Sequence, residues 1–146
     1  MIELEMVDDL ARIDFDKVTA LLAESYWSPE IGRTEVLFGA RHSTLVIGVY
    51  RKDELVGYCR VISDRARFAY LLDVIVDPRY RGQGIGKTMV RYTLGHERLK
   101  DVYQWLLRTR DAHGLYSRFG FVTIDQPDRW MIRQIDRPTR TDFHGE

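Results

Sequence analysis

The chain has one cysteine, Cys59, and only four prolines among 146 residues. A lone thiol excludes an intrachain disulfide, and a cytoplasmic setting is the plain expectation. Long apolar runs are missing: the longest, Leu45 to Tyr50 and Ala69 to Val76, fall far short of the roughly 20 residues of a bilayer span, and Asp73 breaks the second. No membrane association is expected. Glu3, Glu5, Asp8 and Asp9 stand where a secretory signal needs a basic head and an apolar stretch. Net charge is zero, 22 Lys and Arg against 22 Asp and Glu, which removes the global electrostatic case for nucleic acid or anionic lipid. His42, His96, His113 and His144 show no ligand spacing with one another or with Cys59, so no metal is expected. A Gly-x-Ser-x-Gly nucleophile elbow is absent as well. There is no repeat, low-complexity tract or Pro/Gly/Ser linker, so the chain reads as one domain over residues 1–146, with a short polar tail from about 137. A chain of this length buries about two-thirds of its unfolded surface, enough for a core without staples.

What is present is 45% hydrophobic and 12% aromatic residues, in alternating and helical periods. Leu4 and Met6 alternate with Glu3 and Glu5 as in a first strand. Val18, Leu21 and Leu22 then share one helical face behind an N-cap at Asp14 or Asp16. Residues 26–33 carry loop signals, and a second helix starts at Ser28, with Pro29 in its first turn, or at Thr34. Strands follow at Thr44 to Tyr50, Leu55 to Ile62 and Phe68 to Val76, an antiparallel meander. Ile85, Met89, Val90 and Leu94 recur at helical spacing up to about Arg98. Tyr103 to Thr109 reads as a strand, Ala112 to Phe119 as a helix stopped by Gly120, and Phe121 to Ile124 with Trp130 to Ile135 as a closing strand pair. A helix crossing from the Phe68 strand to the Tyr103 strand implies a parallel step in a mixed α/β sheet.

Charge is unevenly spread. Residues 1–30 hold eight acids and two bases, whereas residues 79–110 hold eight bases and two acids. The basic stretch surrounds Arg81-Gly82-Gln83-Gly84-Ile85-Gly86-Lys87. A helix start leaves backbone N–H groups without partners and carries partial positive charge, and glycines let a phosphate approach them. Two nucleotide motifs fail on spacing. A Walker A loop needs glycine where Arg81 stands, and a dinucleotide fingerprint needs it at Lys87. Three glycines serving only a tight turn remain the structural alternative.

Arg81-Gly82-Gln83-Gly84-Ile85-Gly86 resembles the Arg/Gln-x-x-Gly-x-Gly/Ala signature of the GNAT superfamily, the acyl-CoA-dependent N-acetyltransferases. Val74-Ile75-Val76-Asp77-Pro78 resembles the strand that leads into that loop, and residues 115–121 resemble the family's Leu-Tyr-x-x-x-Gly-Phe motif. The likeness spans about residues 1–135. It implies an α/β GNAT fold: a mixed, mostly antiparallel central sheet, parallel central strands that splay, and flanking helices. It also implies acetyl-CoA as cosubstrate. Backbone groups of Val74, Ile75 and Val76 would pair with the pantetheine arm as an added strand, and the amides of Arg81, Gly82, Gln83, Gly84, Ile85, Gly86 and Lys87 would surround the pyrophosphate. Many members carry Asn where this chain has Thr109, so the pantetheine contact there falls to a hydroxyl.

The implied reaction moves acetyl directly to a primary amine. It needs a neutral amine, a donor for the thioester oxygen and a proton for the thiolate. The resemblance suggests the N–H of Val74 or Ile75 as the oxygen's donor and Tyr116 as the group facing sulfur, with a core tyrosine on Phe119 and Phe121 as the alternative. Asp73 is either a base or the partner of an arginine. Glu24, Tyr26 and His113 are further candidates for the base. Tyr26, Trp27 and the loop to Arg33 are expected to meet the acceptor, a small molecule or peptide amine, unless Trp27 is simply core. Homodimerisation through a sheet edge or the C-terminus is compatible with the sequence. The competing readings are a catalytically silent acyl-CoA-binding or protein-interaction domain and, with little support, an RNA-binding module.

Overall fold

The computed structural model describes residues 3–136 and 143–145. The expected tail from about 137 therefore lies mostly outside the described residues. A five-stranded sheet runs in the order β1 (Glu5–Val7), β2 (Leu45–Arg51), β3 (Glu54–Ser63), β4 (Phe68–Val76), β5 (Gln104–Leu106). The first three pairings are antiparallel and β4–β5 is parallel. Four helices flank it: α1 (Phe15–Ala23), α2 (Arg33–Arg41), α3 (Ile85–Leu94) and α4 (His113–Ser117). This is the mixed sheet expected from the sequence.

Strand alternation splits the core in two. Leu45, Ile47, Val49, Cys59, Val61, Ala69 and Leu71 meet Ile85, Met89 and Val90 of α3. On the opposite face Val46, Leu55, Tyr58 and Ile75 meet Phe15, Val18 and Leu22 of α1 and Val36 and Ala40 of α2. Asp14 caps α1 by accepting the Lys17 N–H at 3.1 Å. The second helix begins at Arg33 behind Gly32, not at Ser28. Ser28 is instead buried, its N–H donating to Ser25 Oγ at 3.1 Å, so the Ser-Pro pair closes a turn rather than opening a helix.

Alternation along β4 fails at one residue. Tyr58 pairs with Ile75 and Arg60 with Leu72, which leaves Cys59 opposite both Asp73 and Val74. The extra residue is a β-bulge, and Asp73 takes the left-handed conformation, φ 56°. Asp is one of the few side chains that adopt it readily. Parallel pairing with β5 covers only Phe68, Ala69 and Tyr70, so among the described residues β4 has no strand partner on that side beyond Tyr70.

The last expected elements differ. The strand at 103–109 is ordered as such only over Gln104–Leu106, because its neighbour turns away toward the bulge. The helix expected over 85–98 stops at Leu94, where Gly95 caps it and a short 3-10 turn, Glu97–Leu99, follows. No strand forms between 121 and 136, where a 3-10 turn at Pro127–Arg129 sits behind Gln126 at φ 54°. Val122, Met131, Ile132 and Ile135 are exposed there, up to 96% at Met131. The alternating pattern was present, but a strand pair without a face to pack on is not stable.

A charged cluster fixes the exit of β4. Asp77 accepts the N–H of Arg79 at 3.0 Å, capping the turn Pro78–Tyr80, and its other oxygen meets Lys17 Nζ of α1 at 2.9 Å. Glu54 joins through Lys17, Arg79 and the Tyr80 hydroxyl. The Arg79 guanidinium, with Lys17 beside it, holds the Asp77 carboxyl well below the ordinary range. A depressed folded pKa stabilises the fold above the unfolded value of about 3.9, and that contribution is lost as pH falls through the folded value. Asp77→Ala, which uncaps the Pro78–Tyr80 turn and leaves Lys17 to Glu54 alone, is expected to cost about 2 kcal/mol at pH 7. Asp77→Asn should remove part of the acid-side slope; both are read by urea titration between pH 3 and 7.

Candidate active site

The glycine loop follows directly. Gly82 and Gly84 have φ of 78° and 82°, and Gly84 is the N-cap of α3 without a side-chain cap. The first intrahelical bond is Thr88 N–H to Gly84 O, 3.0 Å. Among the described residues no acceptor meets the N–H groups of 82–87. Residues 82–84 are exposed, Gly86 and Lys87 are half-buried and the Ile85 side chain packs into the core, and among the described residues neither Arg81 nor Lys87 has a carboxylate partner. Arg79, by contrast, is engaged by Asp77 and Glu54. Arg81 Nε donates to Val76 O at 3.2 Å, bridging the loop to the end of β4.

The bare edge of β4, Leu71 to Val76, ends on this loop. Leu115 of α4 reaches the vicinity of Gly86, where an added Cβ would lie 3.9 Å from Leu115 Cδ2 and 3.6 Å from Val76 Cγ2. Tyr116 is buried, its ring edge-on to Phe121 at 5.8 Å, and burial pushes its hydroxyl up to about 12. Thr109 Oγ1 accepts the Ala112 N–H at 2.9 Å, which leaves the hydroxyl hydrogen as its remaining donor.

Tyr26 and Trp27 lie across the mouth, 43% and 41% exposed, with rings edge-on at 5.0 Å. Trp27 is therefore not core. Tyr26 OH accepts the backbone N–H of Arg110 at 3.1 Å, and the Arg110 guanidinium covers the ring at 3.8 Å from its centre. That face is already occupied by a cation. Trp27 Nε1 donates to Asp73 Oδ1 at 3.0 Å, and Arg60 Nε meets Asp73 Oδ2 at 2.7 Å. Of the two roles open to Asp73, the structure shows the arginine pair. Glu24 and His113 are exposed. Sequence reading missed Arg60, which lies in an apolar strand where a buried cation signals a partner.

A family profile described as "Acetyltransferase (GNAT) domain" matches residues 41–123. The chain belongs to the GNAT family. A crystal structure of a GNAT-family protein from Xanthomonas campestris superposes with a TM-score of 0.87 at 34% identity, covering 92% of this chain and 95% of that one. A Bacillus subtilis protein named as a candidate [ribosomal protein bS18]-alanine N-acetyltransferase is 32% identical over 117 residues, 73% of this chain and 74% of that protein. An uncharacterized N-acetyltransferase, ycf52, of Porphyra purpurea is 28% identical over 99 residues, 64% of this chain. This chain spans just over half of that relative's length, 56%. Fold and family thus agree with the motifs at 81–86 and 115–121. Among the described residues no cluster of His, Cys, Asp and Glu could hold a metal, and no helix is long and apolar enough to cross a membrane.

Two glycines of the GNAT loop should respond differently to a methyl group. Gly84→Ala places a Cβ at φ 82° and is expected to cost about 1–2 kcal/mol and weaken coenzyme A binding. Gly86→Ala meets only ordinary contacts and should fold like the wild type; melting curves and a binding titration compare them. Cys59, wholly buried and raised to about 12, should resist Ellman's reagent until the protein unfolds.

Proposed function

We propose that the protein transfers acetyl from acetyl-CoA directly to a primary amine, with the α-amine of a peptide as the leading acceptor class. The observation that carries this reading is the bare edge of β4 running into a loop of unpartnered amides. An extended pantetheine arm adds to such an edge as a strand, through Val74, Ile75 and Val76, while the diphosphate takes the amides of residues 82–87 and the charges of Arg81 and Lys87. A backbone N–H beside the bulge, at Val74 or Ile75, is the donor for the thioester oxygen.

Tyr116 serves the departing sulfur. With its hydroxyl near 12 it stays protonated throughout the working range. It donates a hydrogen bond to the developing thiolate and passes its proton only as another arrives from the ammonium of the tetrahedral intermediate.

The acceptor class follows from proton cost. A lysine amine of pKa about 10.4 spends about 4.6 kcal/mol to be neutral at pH 7, an α-amine near 7.7 about 1 kcal/mol. Both oxygens of Asp73 are engaged, and Glu24 and His113 face solvent. An acceptor with about one-sixth of its amine already neutral at pH 7 fits a site with so little base. Similarity to the Bacillus subtilis protein supports the same class.

Saturating acetyl-CoA, at about 100 times Kd, should stabilise by about 2.7 kcal/mol and raise the melting midpoint by roughly 5–10 °C. A panel of an alanine-terminated peptide, an N-acetylated lysine peptide and glucosamine 6-phosphate then tests turnover. The peptide is expected to be acetylated, with kcat/KM rising to a plateau above about pH 8 as its amine deprotonates. A silent GNAT domain would show the thermal shift and acetylate nothing. Tyr116→Phe should bind acetyl-CoA normally and lose at least tenfold in kcat.

A further inference from the structure

Trp27, Asp73 and Arg60 come from three separate parts of the chain and meet in one line of hydrogen bonds. Trp27 belongs to the loop between α1 and α2. Its indole N–H reaches 3.0 Å to one oxygen of Asp73, while Arg60 Nε takes the other at 2.7 Å. The line continues past the sheet: Arg60 Nη1 donates to Gly39 O at 3.3 Å and Ser43 Oγ at 3.2 Å, at the end of α2. A Cβ on Gly39 would lie 3.3 Å from the guanidinium carbon, so the glycine is what lets the arginine lie against the helix. The pair is largely buried, with the Arg60 side chain 19% exposed and that of Asp73 12%.

Asp73 is also the bulge residue itself. Its left-handed backbone places the next amides, Val74 and Ile75, and its side chain is the part of that turn gripped from both sides. A carboxylate held by two donors fixes its own χ angles and, through them, resists relaxation of the backbone. Tyr26, the neighbour of Trp27, ties the same loop to Arg110 beyond β5. The loop is thus fastened to β4 and to the segment that follows β5.

We propose that Trp27, Asp73 and Arg60 act as a latch that makes the α1–α2 loop and the β4 bulge one mechanical unit, so that seating the acceptor and aiming the thioester oxygen's donor are coupled. Asp73 is then a positioning residue, not a base. The inference rests on the transferase reading above for its kinetic consequence, but the latch itself is a property of the unliganded protein.

The test therefore has two arms. In the first, hydrogen–deuterium exchange is followed by mass spectrometry on ligand-free wild type, Trp27→Phe, which keeps a ring and loses the N–H, and Asp73→Asn, which keeps a residue tolerant of left-handed φ. Trp27→Phe should speed exchange of the amides in 72–76, and Asp73→Asn those in 25–31, each at least fivefold, with α3 unchanged. In the second arm, each variant should raise the peptide acceptor's KM and lower its kcat at least fivefold, with the Kd for acetyl-CoA within threefold of wild type. The double variant should lose less than the product of the two single losses, because both variants loosen one line of hydrogen bonds through residue 73. Exchange changes confined to the mutated segment, or spread over the whole protein, would overturn the latch, as would additive kinetic losses. Failure of every amine to react while the exchange coupling holds would reject the transferase reading and leave the latch standing.

Discussion

A strand that gains one residue against its neighbour cannot stay in register on both edges, and the rest of the site depends on that constraint. The extra residue in β4 is Asp73, opposite Cys59 together with Val74. Pairing with β3 resumes past the bulge, whereas pairing with β5 ends at Tyr70 and Leu106. The gap that opens is lined on one side by the main-chain groups of β4 beyond Tyr70. Because the bulge sits on a strand buried against both helix layers, the opening is held by the core and does not need a ligand to exist.

The parts legible in the sequence were those whose signal is local. The boundaries of β4 agree with the alternation from Phe68 to Val76, and the glycine loop carries its own spacing. Gly82 and Gly84 need glycine for positive φ, while Gly86 has only ordinary contacts, so the fold itself requires glycine at the first two positions and not at the third. Nonlocal partners were not legible. Arg60 and Asp73 are strand residues separated by a hairpin, and only the register brings them together. The Ser28-Pro29 pair imitates a helix start, yet Ser25 already takes the Ser28 N–H. The apolar alternation at 130–135 predicts a strand, but β5 extends for only three residues and gives it no companion in the described chain.

Charge also reads differently in space than along the chain. The basic stretch from Arg79 to Arg110 looks like one positive surface, but most of it is committed elsewhere. Arg79 serves the Asp77 cluster, Arg91 lies over the Phe119 ring, Arg98 donates to Thr44 O, Lys100 pairs with Glu97, and Arg110 covers Tyr26. What remains beside the unpartnered amides is Arg81 and Lys87. A focused pair of cations next to oriented dipoles suits a diphosphate better than a long polyanion, whose charges would need a continuous track.

The bridge from Arg81 to Val76 puts a side chain of the protein itself at the end of the β4 edge. A carbonyl that would otherwise hold water is already satisfied by the guanidinium at 3.2 Å. On the proposed reading, an incoming pantetheine amide that uses this carbonyl exchanges one donor for another, so that contact contributes little net affinity. The displaced guanidinium is then free to swing toward the phosphates. Retention would thus be weighted to the nucleotide end, common to spent and loaded coenzyme, and turnover would include a competition between the two for the same berth.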